Sequence, residues 1–171
     1  MSNKTFILKA GNTIFLLFIV ICGVFFYLQN NSSKVDHFKS TNNGISFQDV
    51  SNMPSLDEVL KILSNNAKQG GYIGLNYTEE QIKTVQFTDW QYSICEAYCL
   101  ALKSKVEPNL SQKLVYMEQS LRVFDKLLQQ YSKNSTVRLY HLYLMNQIPS
   151  FFVDKTKLNE DKNILNQLQW K

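Results

Sequence analysis

VRLYHLYLMNQIPSFF, residues 137–152, carries one arginine inside an apolar helical stretch, then a proline, then two phenylalanines. Val137, Tyr140, His141, Leu144 and Ile148 recur at the spacing of one helical face. Leu139, Leu142 and Tyr143 widen that face until the helix is apolar almost all round, and such a helix belongs at the centre of a packed domain. Arg138 is then carried inward with it. A buried cation needs a partner, and Asp125, Glu160 and Asp161 are the candidates for a structural ion pair. Pro149 lacks a backbone donor and stops the helix. Phe151 and Phe152 are expected to bury themselves where the chain turns, locking this helix to the next.

Helical patterning extends upstream of this stretch. SLDEVLKILSNNAKQ opens with Ser55, followed three positions later by Glu58, a capping-box arrangement. Leu56, Val59, Leu60 and Leu63 then follow at helical spacing, and Gly70 and Gly71 are expected to end the helix. YIGLNYTEEQIKTVQF is ambiguous, and Thr78 is a candidate cap for a short helix within it. Thr88 or Asp89 opens the next helix, with Ile94, Ala97, Tyr98, Ala101 and Leu102 as its stripe and VEPN as its end. The longest helix begins near Ser111. Its expected apolar stripe is Leu114, Met117, Leu121, Phe124, Leu127 and Leu128, and Lys133 and Asn134 form the turn after it. LNEDKNILNQLQW is the last helical stretch. This reading gives an all-α domain over 55–171 with five or six helices and no strand. Short connections favour antiparallel hairpins. One helix–turn–helix pair is repeat-like, but no period of about 34 residues is kept, so the array is TPR-like only in a degenerate sense.

The front of the chain differs in kind. Residues 1–12 form a short basic segment, and residues 13–28, TIFLLFIVICGVFFYL, carry no charge. As a helix the latter spans about 24 Å, slightly short of a hydrocarbon core of about 30 Å. Tyr27 suits the membrane interface. YLQNNSSK offers no pair of small residues for signal cleavage. Cys22 follows Ile21, and the apolar run continues past it, which argues against a lipidated cysteine. The reading is an uncleaved single-pass anchor. Lys4 and Lys9 favour an inner N-terminus and an outer C-terminal domain, partly balanced by Lys34 and Lys39 against Asp36. Residues 29–54 are polar, broken by Gly and Pro, and read as a linker.

Composition excludes several functions. The chain has 18 basic and 14 acidic residues, and with Lys4 and Lys9 set aside the balance is too even for a nucleic-acid binder. No P-loop, Rossmann, G-x-S-x-G or H-E-x-x-H signature is present. Of the two histidines, His37 falls in the linker and His141 reads as a core residue, not a base or ligand. Cys95 and Cys99 lie one helical turn apart and read as small core residues. They are poorly placed for a disulfide and lack the further ligands that zinc needs. The carboxylate pairs Asp57/Glu58, Glu79/Glu80 and Glu160/Asp161 are each expected near a helix's first turn, where acids complement the dipole. No catalytic residue, cofactor or small-molecule substrate is therefore expected.

Between Glu96 and Leu168 several phrases occur together: Ala97, Tyr98, Ala101 and Lys105; Lys113, Leu114 and Tyr116; Phe124 to Lys126; Asn134 and Arg138; Ile148 to Phe151; Glu160 to Lys162. In this order they resemble a family of uncharacterised bacterial all-helical, TPR-like proteins. A second arginine that often follows in that family is replaced here by His141 and Leu142. The resemblance implies a fold and an exported domain, but no reaction. The expected function is a membrane-anchored adaptor that holds a protein or peptide partner. An envelope immunity protein that neutralises a toxin is the alternative, and an enzyme is a distant third.

Overall fold

The computed structural model describes residue 47 and residues 54–169, with side chains through Gln167. These contain five α-helices and no strand: α1 (Leu56–Ile82), α2 (Asp89–Val106), α3 (Leu110–Gln130), α4 (Ser135–Met145) and α5 (Lys155–Gln169), with a 3-10 turn, Ser150–Phe152, before the last. No described helix is long and apolar enough to cross a membrane. The expected anchor, residues 13–28, and Cys22 within it lie outside the described residues.

Side-chain caps set the helix starts. Glu58 accepts from the Ser55 backbone N–H at 2.7 Å, while the Ser55 hydroxyl accepts from the Glu58 N–H at 3.3 Å. Gln91 reaches back to the Thr88 N–H at 2.9 Å. Asn109, two positions before Ser111, caps α3. Asn134 caps α4 through the Thr136 and Val137 N–H groups.

The glycine pair ends the first helical segment as expected, and Leu56–Ile82 is two helical segments joined at a kink. Only Gly71 leaves helical geometry, at φ 55° and ψ −129°, and the helix resumes at once. The chain folds back so tightly that a Cβ on Gly74 would stand 1.9 Å from the Asn66 carbonyl oxygen. Thr78 is accordingly not a cap. It lies buried inside the second half of α1, donating to the Gly74 carbonyl at 2.8 Å and accepting from the Asn66 amide at 2.9 Å. Glycine spacing alone does not separate a helix stop from a one-residue hinge, because both need positive φ.

Helix α2 carries most of the packing, and α4 reaches each of the other four helices. Tyr140 donates to Asp57 in the first turn of α1. The Tyr98 hydroxyl of α2 donates to the Tyr140 carbonyl at 3.0 Å. The Phe124 ring of α3 lies 5.3 Å from the His141 ring. Arg138 bonds to α5. Phe124 and Val137 are fully buried here, and each is worth about 1.5–3 kcal/mol of transfer free energy by burial.

Helix α2 packs on both α1 and α3. Along the first seam Tyr72 meets Glu107, Glu79 meets Lys103 at 2.9 Å, and Tyr92 donates to the Val85 carbonyl. Position rises along α1 as it falls along α2, so the two run antiparallel there. On the second seam Ser120 is wholly buried and donates to the Ala97 carbonyl at 2.7 Å. Phe47, inside the stretch expected as linker, is buried in this same core.

Candidate functional site

Two clusters bring charged groups together. The first is built on Arg138, which is 3% exposed. Its three nitrogens each meet an acceptor: Nε donates to the Ser132 carbonyl at 2.6 Å, Nη1 to Asp161 at 2.7 Å and Nη2 to Glu160 at 3.1 Å. Asp161, wholly buried, uses its second oxygen on His141 Nδ1 at 2.5 Å. A carboxylate only accepts, so Nδ1 carries the proton of that bond. Arg138 and His141 stand three positions apart on α4 and share a face, which is why one carboxylate from α5 reaches both.

Of the three sequence candidates, Asp161 and Glu160 come to Arg138. Asp125 does not: it accepts from Lys157 at 2.5 Å. Pro149 heads the 3-10 turn, but α4 has already ended at Met145, with Asn146 as its cap. The expected burial of both phenylalanines is corrected. Phe152 is half-buried against the core, while Phe151 is 76% exposed and stacks on it at 4.5 Å. The 3-10 turn points neighbouring side chains in different directions, so only one of the two rings can face inward.

The carboxylate pairs also need correction. Asp57 and Glu58 do occupy a first turn. Glu79 and Glu80 lie near the C-terminal end of α1, where Glu79 is held by Lys103 and Glu80 by Lys83 at 2.7 Å. Glu160 and Asp161 lie beyond the first turn of α5 and serve Arg138. Ion pairing, not the helix dipole, explains these two pairs.

Beside Arg138 an open cavity of about 280 Å³ runs between α3 and α5. Leu128 gives it an apolar wall, the bonded pair Asp125 and Lys157 forms part of its lining, and Arg138 and Asp161 line its inner side. His141 does not line it. The arginine therefore meets protein acceptors on each nitrogen and stands beside three carboxylates, an unfavourable setting for a further anion.

A second cavity, of about 380 Å³, lies between the end of α1 and the start of α2. Cys95 and Cys99 form part of its wall, with Glu79, Glu80 and Glu96 around it. Burial pushes the Cys95 thiol up to about 12. Burial also raises the Cys99 thiol, and the neighbouring Glu79 adds to the effect. Both stay protonated at neutral pH, the opposite of what a thiolate nucleophile needs. Lys103 is paired with Glu79 of the cavity lining. Burial alone would lower its pKa, but the Glu79 hydrogen bond and charge leave it raised. Among the described residues no group of three or more His, Cys, Asp or Glu is arranged to hold a metal ion.

Several polar links had no sequence motif: Tyr140 to Asp57, Tyr72 to Glu107, Ser120 to Ala97 and Asn66 to Thr78. The signal available for two of them was position. Ser120 falls between Met117 and Phe124 on the buried face of α3, and Asn66 continues the Val59, Ile62, Leu63 face of α1. A polar residue at a core position implies a buried partner.

The surface carries one further feature. Leu110 is 71% exposed, and Leu114 one turn later and Val115 beside it are also exposed. Leu114 was expected in the buried stripe. That stripe instead passes through Met117, Ser120, Phe124 and Leu127, leaving the first turns of α3 with an apolar outer strip. No family model, curated protein or solved structure matches the chain.

Proposed function

We propose that this chain is a helical protein-interaction module of the cell envelope, held at the membrane by residues 13–28 with its C-terminal domain outside, and without catalytic activity. The observation that carries the reading is the outer strip of Leu110, Leu114 and Val115, three apolar side chains in water on one helix end of an otherwise well-packed domain. Exposed apolar side chains gathered in one place mark contact surfaces more often than singly scattered ones do. The charge-free run of residues 13–28 after Lys4 and Lys9 supports the anchor and its orientation. The resemblance to TPR-like bacterial proteins supports an exported helical domain, with the hairpin of α2 and α3 as its most repeat-like part.

The two competing functions lack support of this kind. An immunity protein would gain from a one-signed surface, whereas acids and bases here are paired both within and between helices. An enzyme would gain from a deep pocket uniting Arg138, His141 and an acid, whereas His141 is turned away from the open cavity that Arg138 lines. The test is cross-linking in intact cells followed by detergent extraction and capture through a C-terminal tag. The reading expects one envelope protein in near-equal amount. Recovery of the tagged chain alone would overturn it.

A further inference from the structure

Helix α5 is attached differently from the others. Core helices dock by burying an apolar stripe, as α3 does with Met117, Phe124 and Leu127. Along α5, among its described side chains, the one that is buried is the carboxylate of Asp161. Leu158, Ile164 and Leu165 are only half-buried. Leu158 packs at the edge of the core, and the polar ties are ionic: Asp161 on Arg138 and His141, Glu160 on Arg138, and Lys157 on Asp125. The seam between α3 and α5 is not filled, since the 280 Å³ cavity opens along it. The connection from α4, residues 146–154, is the longest between the helices and holds only a 3-10 turn.

We propose that α5 is a detachable arm, and that the seat it leaves, with Arg138 and His141 at its floor and Asp125 at its rim, takes the α5 of a second copy of this chain. The seat reads a lysine followed one turn later by a carboxylate. In a reciprocal exchange the second copy's Lys157 and Asp161 make each contact that the copy's own arm made, Phe152, Val153 and Leu158 travel with the arm onto the second copy's core, and only the exposed segment 149–151, after buried Ile148, changes its path. Such an exchange costs little because the closed and exchanged forms share their contacts. The inference stands apart from the membrane-adaptor reading and survives its failure.

The test uses two differently tagged full-length chains in detergent micelles. One carries Asp161→Asn, which spoils the arm and spares the seat. The other carries Arg138→Met, which spoils the seat and spares the arm. Mixed, the first chain's intact seat accepts the second chain's intact arm, and capture through one tag recovers the other at least five-fold above either variant mixed with itself. Equal recovery in all mixtures overturns the proposal. Should either variant lose its helical circular dichroism, Lys157→Ala and Asp125→Ala, at half-exposed positions, replace them as arm and seat variants with the same expectation. In the unaltered chain, α5 amides exchange with solvent at least ten-fold faster than those at the centres of α2 and α3. Exchange of α5 together with those helices overturns the proposal as well.

Discussion

Alanine at the two glycines of α1 separates a hinge from a close crossing. At Gly71 a Cβ meets nothing within 4 Å, so the cost is conformational, from holding φ 55° and ψ −129°. A non-glycine residue there costs about 1–3 kcal/mol. At Gly74 the backbone is ordinary helix, and intrinsic propensity alone would make alanine better by about 1 kcal/mol. The added carbon, however, would stand 1.9 Å from the Asn66 carbonyl oxygen and 2.6 Å from its carbon. Both are backbone atoms and cannot swing aside, so the two halves of α1 must separate by more than 1 Å to restore contact distance, roughly the 3.5–4 Å optimum. That separation breaks the buried Asn66–Thr78 bond, now 2.9 Å. Overpacking at about 1–3 kcal/mol and an orphaned buried amide at about 1–3 kcal/mol give a loss of about 4 kcal/mol. Urea unfolding followed by helical circular dichroism reads this directly. With a slope of about 1.5 kcal/mol/M, Gly74→Ala lowers the midpoint by roughly 2–3 M and Gly71→Ala by about 1 M. A Gly74→Ala midpoint at or above that of Gly71→Ala would refute the crossing.

Other expectations follow from single contacts. Ser120→Ala removes the donor to the Ala97 carbonyl and lowers stability by about 1 kcal/mol, read as a midpoint shift without a change of slope. Cys95 and Cys99 react with a thiol reagent at pH 8 only after denaturant is added. Because burial raises Cys95 to about 12 in the folded state, its stabilising contribution is intact below the unfolded thiol value of about 8.5 and is lost as pH rises towards 12. Cys95→Ala flattens that alkaline decline. Glu58 and Glu107 lie below the usual carboxylate range, Glu58 through hydrogen bonds from Ser55 and Glu107 through those from Tyr72 and the Asn109 N–H. Their contribution is therefore present above the unfolded value of about 4.3 and lost as pH falls through the folded one. Glu58→Gln with Glu107→Gln reduces the slope of stability on the acid side. Finally, the full chain stays with carbonate-washed membranes, and deletion of residues 13–28 releases it to the soluble fraction.

The all-helical character of the described domain was legible because Ser55 and Thr88 stand where caps belong and because apolar residues recur at helical spacing, most regularly in α1 and α3. The paths between helices were harder to read. The glycine pair marked the helix break in sequence, but that a second helical segment follows at once and folds back on the first, Gly74 against Asn66, depends on three-dimensional crossing. The candidate acids for Arg138 were few, but their assignment needed the docking of α5, which sends Asp161 inward and leaves Asp125 to Lys157. Periodicity placed Leu114 in the core because it counts leucines. The structure turns α3 so that Ser120 faces inward and Leu114 faces out. A buried serine bonded to a carbonyl replaces the expected leucine, and that exchange is what opens the apolar strip on the outer surface.

The strip also offers the most direct test of the account. A photoreactive side chain placed at Leu114 in the full-length chain, with one at exposed Lys68 on α1 as control, is irradiated in intact cells. The account predicts a single cross-linked envelope protein from position 114 and none from position 68. An unlinked chain at both positions, with the protein folded and membrane-bound, would contradict it.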